Sequence, residues 1–354
     1  MKFLLDISQL EHGDIILESG NTKLISGAIK KATDSEYSHA MVYTGYSMIH
    51  ATTKGGVFSK NPQRLLVDKS KALKVLRLRG GLTQPQKAAV CGEAGALVGS
   101  LYGKREALGA IRKKKRNEAQ NRRQFCSRLV AQCYDKAGIK LVKNVDYCAP
   151  EDFNTSSMLY EVTSAVREAS AQDIALMGKE DPNLVNQKET FKWLNKARNA
   201  LKKNGIEIQT INDVIKALLV DGRHDKTICK FVNATKYLTL YNIDRDANPH
   251  RYSASIFAAE AINSQDFHSF IRDEVTLNER EISRHSFNLQ ACRTNYEPSN
   301  LEFILLHIEL YCNLLQETRY RLVVITTALK AIGYNTDHVN SLIARIDDTI
   351  LERN

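Results

Sequence analysis

The first half of the chain switches repeatedly between two hydrophobic periods. Residues 13–18 (GDIILE), 38–43, 46–51 and 73–78 are short apolar runs bounded by turn residues, and they predict strands. Residues 22–33 carry Leu24, Ile25, Ala28 and Ile29 at helical spacing. A second helix is expected over 84–98, with Pro85 in its first turn, and a third over 125–137, stopped by Gly138. A last strand is expected over 158–163. The second half has a single period. Residues 189–203, 211–220, 253–261, 301–315, 320–331 and 339–351 all read as helices, with only 237–241 resembling a strand. Asp181-Pro182 lies in a polar stretch over 178–186 that suits a linker. The pattern therefore predicts an α+β domain over residues 1–175 followed by an all-α domain over 186–354.

Composition agrees with two folded domains. The chain has 354 residues, 43% hydrophobic and 25% charged, which excludes disordered and collagen-like classes. No uncharged apolar stretch approaches the ~20 residues of a membrane span; the most apolar candidate, 301–315, contains Glu302, His307 and Glu309. The opening apolar run stops at Asp6, short of a secretory core, so the chain is expected in the cytoplasm as synthesised, any export needing a dedicated secretion system. Seven cysteines without paired spacing fit reduced thiols.

Charge is concentrated. Between Lys104 and Arg123 lie nine basic and two acidic residues, a net +7 of the chain's +10. Arg112, Lys113, Lys114, Lys115, Arg122 and Arg123 are the candidate electrostatic contacts to a substrate. An anionic lipid surface is the favoured partner. Nucleic acid is disfavoured, because no aromatic residue interleaves the run before Phe125.

Cys126 opens the helix over 125–137, where partly positive backbone amides and Arg122, Arg123 and Arg128 would favour its thiolate. A small buried cysteine is the ordinary alternative, and it is the reading for Cys133, which shares a face with Leu129, Val130 and Ala137. If Thr44-Gly45 forms a two-residue turn, His39 falls directly opposite His50, with β-carbons ~4.5–5.5 Å apart. Either histidine alone is an ordinary structural residue; together with Cys126 they supply a nucleophile, a base and an orienting partner. No phosphate-binding loop, dinucleotide fingerprint or paired-cysteine metal motif is present. His307 does not share a helical face with Glu302, Glu309 or Cys312, so no metal site is assigned there.

The order Gly13-Asp14-Ile15-Ile16-Leu17, Ser38-His39, Ile49-His50-Ala51, Gly56-Val57 and Phe125-Cys126-Ser127-Arg128-Leu129-Val130 resembles the circularly permuted, NlpC-like branch of the papain fold. That branch holds the YaeF/YiiX-like amidases and the enzymes related to lecithin:retinol acyltransferase. Ala149-Pro150-Glu151-Asp152-Phe153 resembles the proline turn that follows the cysteine helix in such domains. The resemblance spans about residues 10–165. It implies a thiol nucleophile at Cys126, a base at His39 and a polar third member at His50, with no cofactor. Many amidase-like members carry glutamate at the third position; histidine there is more like the acyltransferase branch. The expected activity is acyl transfer through a thioester, first on lipid acyl esters and alternatively on peptidoglycan amides, in the setting of a bacterial secreted effector. The second alternative is a non-catalytic nucleic-acid-binding protein. The helical half is expected to serve targeting, regulation or protein partners.

Overall fold

The computed structural model describes residues 1–19, 36–45, 47–103, 107, 123–264 and 266–352. The helix expected over 22–33 lies outside them, as do Arg112, Lys113, Lys114, Lys115 and Arg122; Arg123 is described. The chain divides into two units, one of Met1–Phe191 with Glu207–Asp213, the other of Lys192–Ile206 with Val214–Asn354.

The first unit is built on an antiparallel sheet of six strands in the order β5-β4-β3-β2-β6-β7. Its members are β2 (Ile15–Glu18), β3 (His39–Tyr43), β4 (Met48–Thr52), β5 (Gly56–Lys60), β6 (Leu73–Leu78) and β7 (Leu159–Glu161). A separate pair joins β1 (Phe3–Leu5) to β8 (Val166–Glu168). Strand alternation sends Ile15, Leu17, Ala40, Val42, Ile49, Ala51 and Leu76 to one face. Two helices cover that face, α1 (Gln84–Ala96) through Val90 and Ala94, and α2 (Cys126–Lys136) through Leu129, Val130, Cys133 and Tyr134. Ile16, Met41, Tyr43, Met48, Leu73 and Val75 fill a second core on the other face with Leu5 and Leu65. A sheet covered on both sides explains why Ile15–Leu17 is a continuous apolar run.

The Gly13-Asp14 pair that precedes β2 is structural. Asp14, 1% exposed, receives both Nε and Nη2 of Arg77 at 2.8 and 2.7 Å. Gly13 adopts φ +92°, and its carbonyl accepts the Tyr134 hydroxyl at 2.5 Å, tying the start of β2 to α2. The proline turn after α2 is a short helix, α3 (Pro150–Asn154), begun by Asp152 accepting from the Ala149 N–H at 2.8 Å. A further helix, α4 (Ala171–Met177), follows β8.

The boundary between the units differs from the expected linker. Only 178–181 is irregular, because α5 (Pro182–Lys202) starts at the proline and runs on through Phe191. The segment Glu207–Asp213 returns to the first unit, where Gln209 Oε1 accepts from the Leu101 N–H at 3.1 Å.

The second unit is helical throughout its described residues. It comprises the end of α5, most of α6 (Ile211–Val220), then α7 (Asp225–Asn233), α8 (Ile243–Ala247), α9 (Ala254–Asn263), α10 (Phe267–Ser299), α11 (Glu302–Ala331) and α12 (Asp337–Leu351). Residues 237–241 are not a strand; they belong to a 3-10 turn, Tyr237–Asn242. The two helices expected over 301–315 and 320–331 are one, since the polar residues between them are accommodated inside. Thr318 is fully buried, and Arg321, 6% exposed, pairs with Glu281 and, at 3.2 Å, with Asp244. His307 is buried against Phe303 and Tyr237, its Nδ1 2.8 Å from the Phe303 carbonyl. No helix among the described residues is long and apolar enough to cross a membrane.

Candidate active site

Helix α2 forms because its apolar residues share one stripe and because Gly138, at φ +76°, ends it with the Ile139 N–H bonded back to the Tyr134 carbonyl at 3.0 Å. Cys126 is its first residue and is 5% exposed. The first turn is pinned by Ser127, whose hydroxyl donates to the Cys148 carbonyl at 2.7 Å, joining it to the approach to α3. Arg128 bonds Asp146 and, at 2.9 Å, the Arg123 carbonyl.

The hairpin register differs from the two-residue turn considered above. β3 and β4 pair as Val42↔Ile49 and Tyr43↔Met48, so the connection is four residues long, with the Thr44 N–H donating to the Ser47 carbonyl at 2.9 Å. Thr44 resists the left-handed geometry that a two-residue turn demands; Gly45, at φ +86°, takes the positive angle instead. His39 and His50 are therefore diagonal rather than directly opposite. The shift is an even number of residues, so both stay on the same side of the sheet. His39 Nε2 lies 3.0 Å from His50 Nδ1, and the ring centroids are 5.3 Å apart.

The β3–β4 ladder stops at Val42. Beyond it the Cys126 sulfur lies beside the Ala40 N–H and the His39 ring, both of which favour its thiolate. Cys126, His39 and His50 are thus brought together in sequence, thiol to imidazole to imidazole.

The electrostatics follow from those contacts. Burial pushes the Cys126 thiol up, but the His39 hydrogen bond, the His39 charge and the N–H groups of Ala40 and Ser127 outweigh it, leaving the pKa below the usual thiol value. Burial alone would lower His39; its bond to Cys126, the thiolate charge and the Glu18 carboxylate reverse this, and its pKa stands above the ordinary histidine value. His50 is held well below that value by burial, then by the charges of His39 and Lys60, and is neutral. The sequence credits the thiolate to first-turn backbone amides and to arginines; the backbone amides do contribute, through Ser127 and Ala40, but the charge comes from His39 rather than an arginine, and Arg128 is engaged by Asp146. Cys133 and Cys148 are buried thiols pushed well up, with burial the main cause.

Glu18 was not singled out by the sequence, yet it stands opposite His39 in the β2–β3 register. Residues 19–38 separate the two strands, so no turn length revealed that pairing; the alternation of β2 alone puts Glu18 in phase with Ile16. Among the described residues no group of three or more His, Cys, Asp or Glu side chains is arranged to hold a metal ion.

Residues 9–175, just under half of the chain, match the family described as the permuted papain-like amidase enzymes, YaeF/YiiX, C92. This part of the protein matches the permuted papain-like fold, and the family it matches is of the cysteine-type hydrolase kind. Among solved structures the chain is similar to the metalloprotein YiiX of Escherichia coli O157:H7, with 20% identity and a TM-score of 0.31 over 44% of this chain and 97% of that one. No curated protein matches the chain.

Proposed function

We propose that the N-terminal unit is a thiol acyl hydrolase in which Cys126 is the nucleophile, His39 the base and His50 the orienting member. The observation that carries this reading is the chain of contacts from the Cys126 thiol to His39 and from His39 Nε2 to His50 Nδ1 at 3.0 Å. Because Nε2 is engaged by His50, Nδ1 is the ring nitrogen left to take the thiol proton. His39 then carries its other proton on Nε2 and donates it to His50 Nδ1, which requires His50 to be the Nε2–H tautomer. The thiolate attacks a carbonyl carbon, and the amide of Cys126, without a helical partner at the first position of α2, receives the developing oxyanion. His39 returns the proton to the leaving group. Water, activated by the same ring, then cleaves the thioester and frees the cysteine.

The amide carbonyl is the first substrate class, on the amidase description of the matching family. A lipid acyl ester is the second, and it rests on the positive charge between Lys104 and Arg123. Intact-mass spectrometry of the wild type and Cys126→Ala, incubated in turn with peptidoglycan fragments and with anionic phospholipid vesicles, tests both. A transient acyl adduct and released amine from the first substrate, in the wild type only, supports the amide reading. Lysophospholipid in the second supports the ester reading. Turnover by Cys126→Ala equal to wild type refutes the assignment of the nucleophile.

A further inference from the structure

We infer that Glu18 is a positioning residue for the thiolate–imidazolium pair, its carboxylate supplying beside His39 the negative charge that an imidazole at position 50 does not bring. This rests on the reading of Cys126 and His39 as nucleophile and base. A third member that is a carboxylate both aims the base and stabilises it once protonated; His50 does only the first. The stabilising charge must then come from another strand.

The geometry provides it. β2 and β3 pair in full register, Ile15↔Val42 through Glu18↔His39, so Glu18 and His39 are direct cross-strand neighbours on one face, with β-carbons ~4.5–5.5 Å apart. The backbone of Glu18 is fixed on both sides. Its carbonyl accepts from the Ser38 N–H at 3.0 Å, and the next residue, Ser19, donates to the Ala72 carbonyl at 2.8 Å. Among the described residues, the charged and titratable groups bearing on His39 include Cys126 on α2, His50 on β4, Glu18 on β2 and Lys60 on β5. Glu18 and Cys126 favour the protonated ring, whereas Lys60 opposes it. Lys60 sits opposite Met48, across the far side of β4, while Glu18 is the immediate neighbour, so the nearer charge prevails.

The test is the pH titration of the His39 imidazole in the full-length protein, by carbon-edited NMR with labelled histidine. The signal is assigned by its loss in His39→Ala. Glu18→Gln is expected to lower the His39 pKa by about one unit. Glu18→Asp, which keeps the charge on a side chain one methylene shorter, is expected to lower it by less, and it carries the test if the glutamine variant does not fold. Lys60→Gln is expected to raise it. An unmoved His39 titration in the Glu18 variants overturns the inference. Cys126→Ala separates the two levels: it must lower the His39 pKa if thiol and ring form a pair. If it does not, the underlying reading fails; if it does and the Glu18 variants do nothing, only the role of Glu18 is lost.

Discussion

At Cys126, burial favours the neutral thiol, while His39 and two backbone N–H groups favour the thiolate. The balance has a definite sign in pH. The thiol's pKa is lowered and the imidazole's is raised, so the ion pair forms above the depressed thiol value and is lost as pH rises through the raised histidine value. The kcat/KM profile is therefore expected to be a bell whose acid limb lies below the usual thiol range near ~8.5 and whose alkaline limb lies above ~6.5. An acid limb at or above the ordinary thiol value would contradict the pairing. Replacing His50 with alanine removes the orienting partner and leaves the thiol in place. A fall of about tenfold to hundredfold in kcat/KM is expected, with Cys126 still open to alkylation. Unchanged turnover would make His50 a bystander. Of these residues, Cys126, His39 and His50 were legible in the sequence because a helix-start thiol and two histidines on short strands point to one chemistry. Ala40 was not, since the role of its N–H depends on where a ladder stops, and that has no sequence signal.

At the scale of elements, the strands that read best are those with covered faces and clear turns: β6 occurs over the residues the pattern predicted, Leu73–Leu78. β1 and β8 were missed because three-residue strands carry too little alternation to register. Helix α10 was missed for a different reason. Its inward stripe includes Glu274, Asn278 and His285 among Ile282, Leu289 and Cys292, so the apolar period is interrupted by buried polar residues. Glu274 is matched there by Arg251, at 2.9 and 2.8 Å, which makes the interruption tolerable. The Gly56-Val57 motif also acquires a physical reason. Gly56 has φ +63°, and a β-carbon on it would lie 2.2 Å from the Ser100 carbonyl oxygen, which accepts the Val57 N–H at 2.8 Å. Gly56→Ala is expected to cost about 2 kcal/mol or more of stability, measured by urea unfolding. A variant as stable as the wild type would show that this junction is not close-packed.

Across the whole molecule, the division into units follows contacts that the sequence's linker signals did not convey. Asp181-Pro182 reads as a break, yet proline in the first turn starts a helix as readily as it ends one. Gln187, on α5, donates to the Gly55 carbonyl at 3.0 Å, and Gln209 receives the Leu101 N–H, so both belong to the fold of the first unit. A fragment ending at Asp213 is therefore expected to unfold cooperatively, and one ending at residue 175 to be less stable by about 1–3 kcal/mol in urea titration. Equal stability of the two would place the boundary at 175 after all. The seven cysteines of the molecule, all unpaired, allow the central claim to be tested in one competition. Cys91 and Cys312 are the two that are not buried, and burial nonetheless pushes both thiols up, Cys91 to about 11. The measurement is peptide-resolved alkylation of the folded protein by limiting iodoacetamide near pH ~6.5, below the ordinary thiol range. Cys126, although only 5% exposed, is predicted to be modified first and to lose that priority in His39→Ala. Modification of Cys91 or Cys312 ahead of Cys126 would contradict the account of Cys126 as an activated nucleophile.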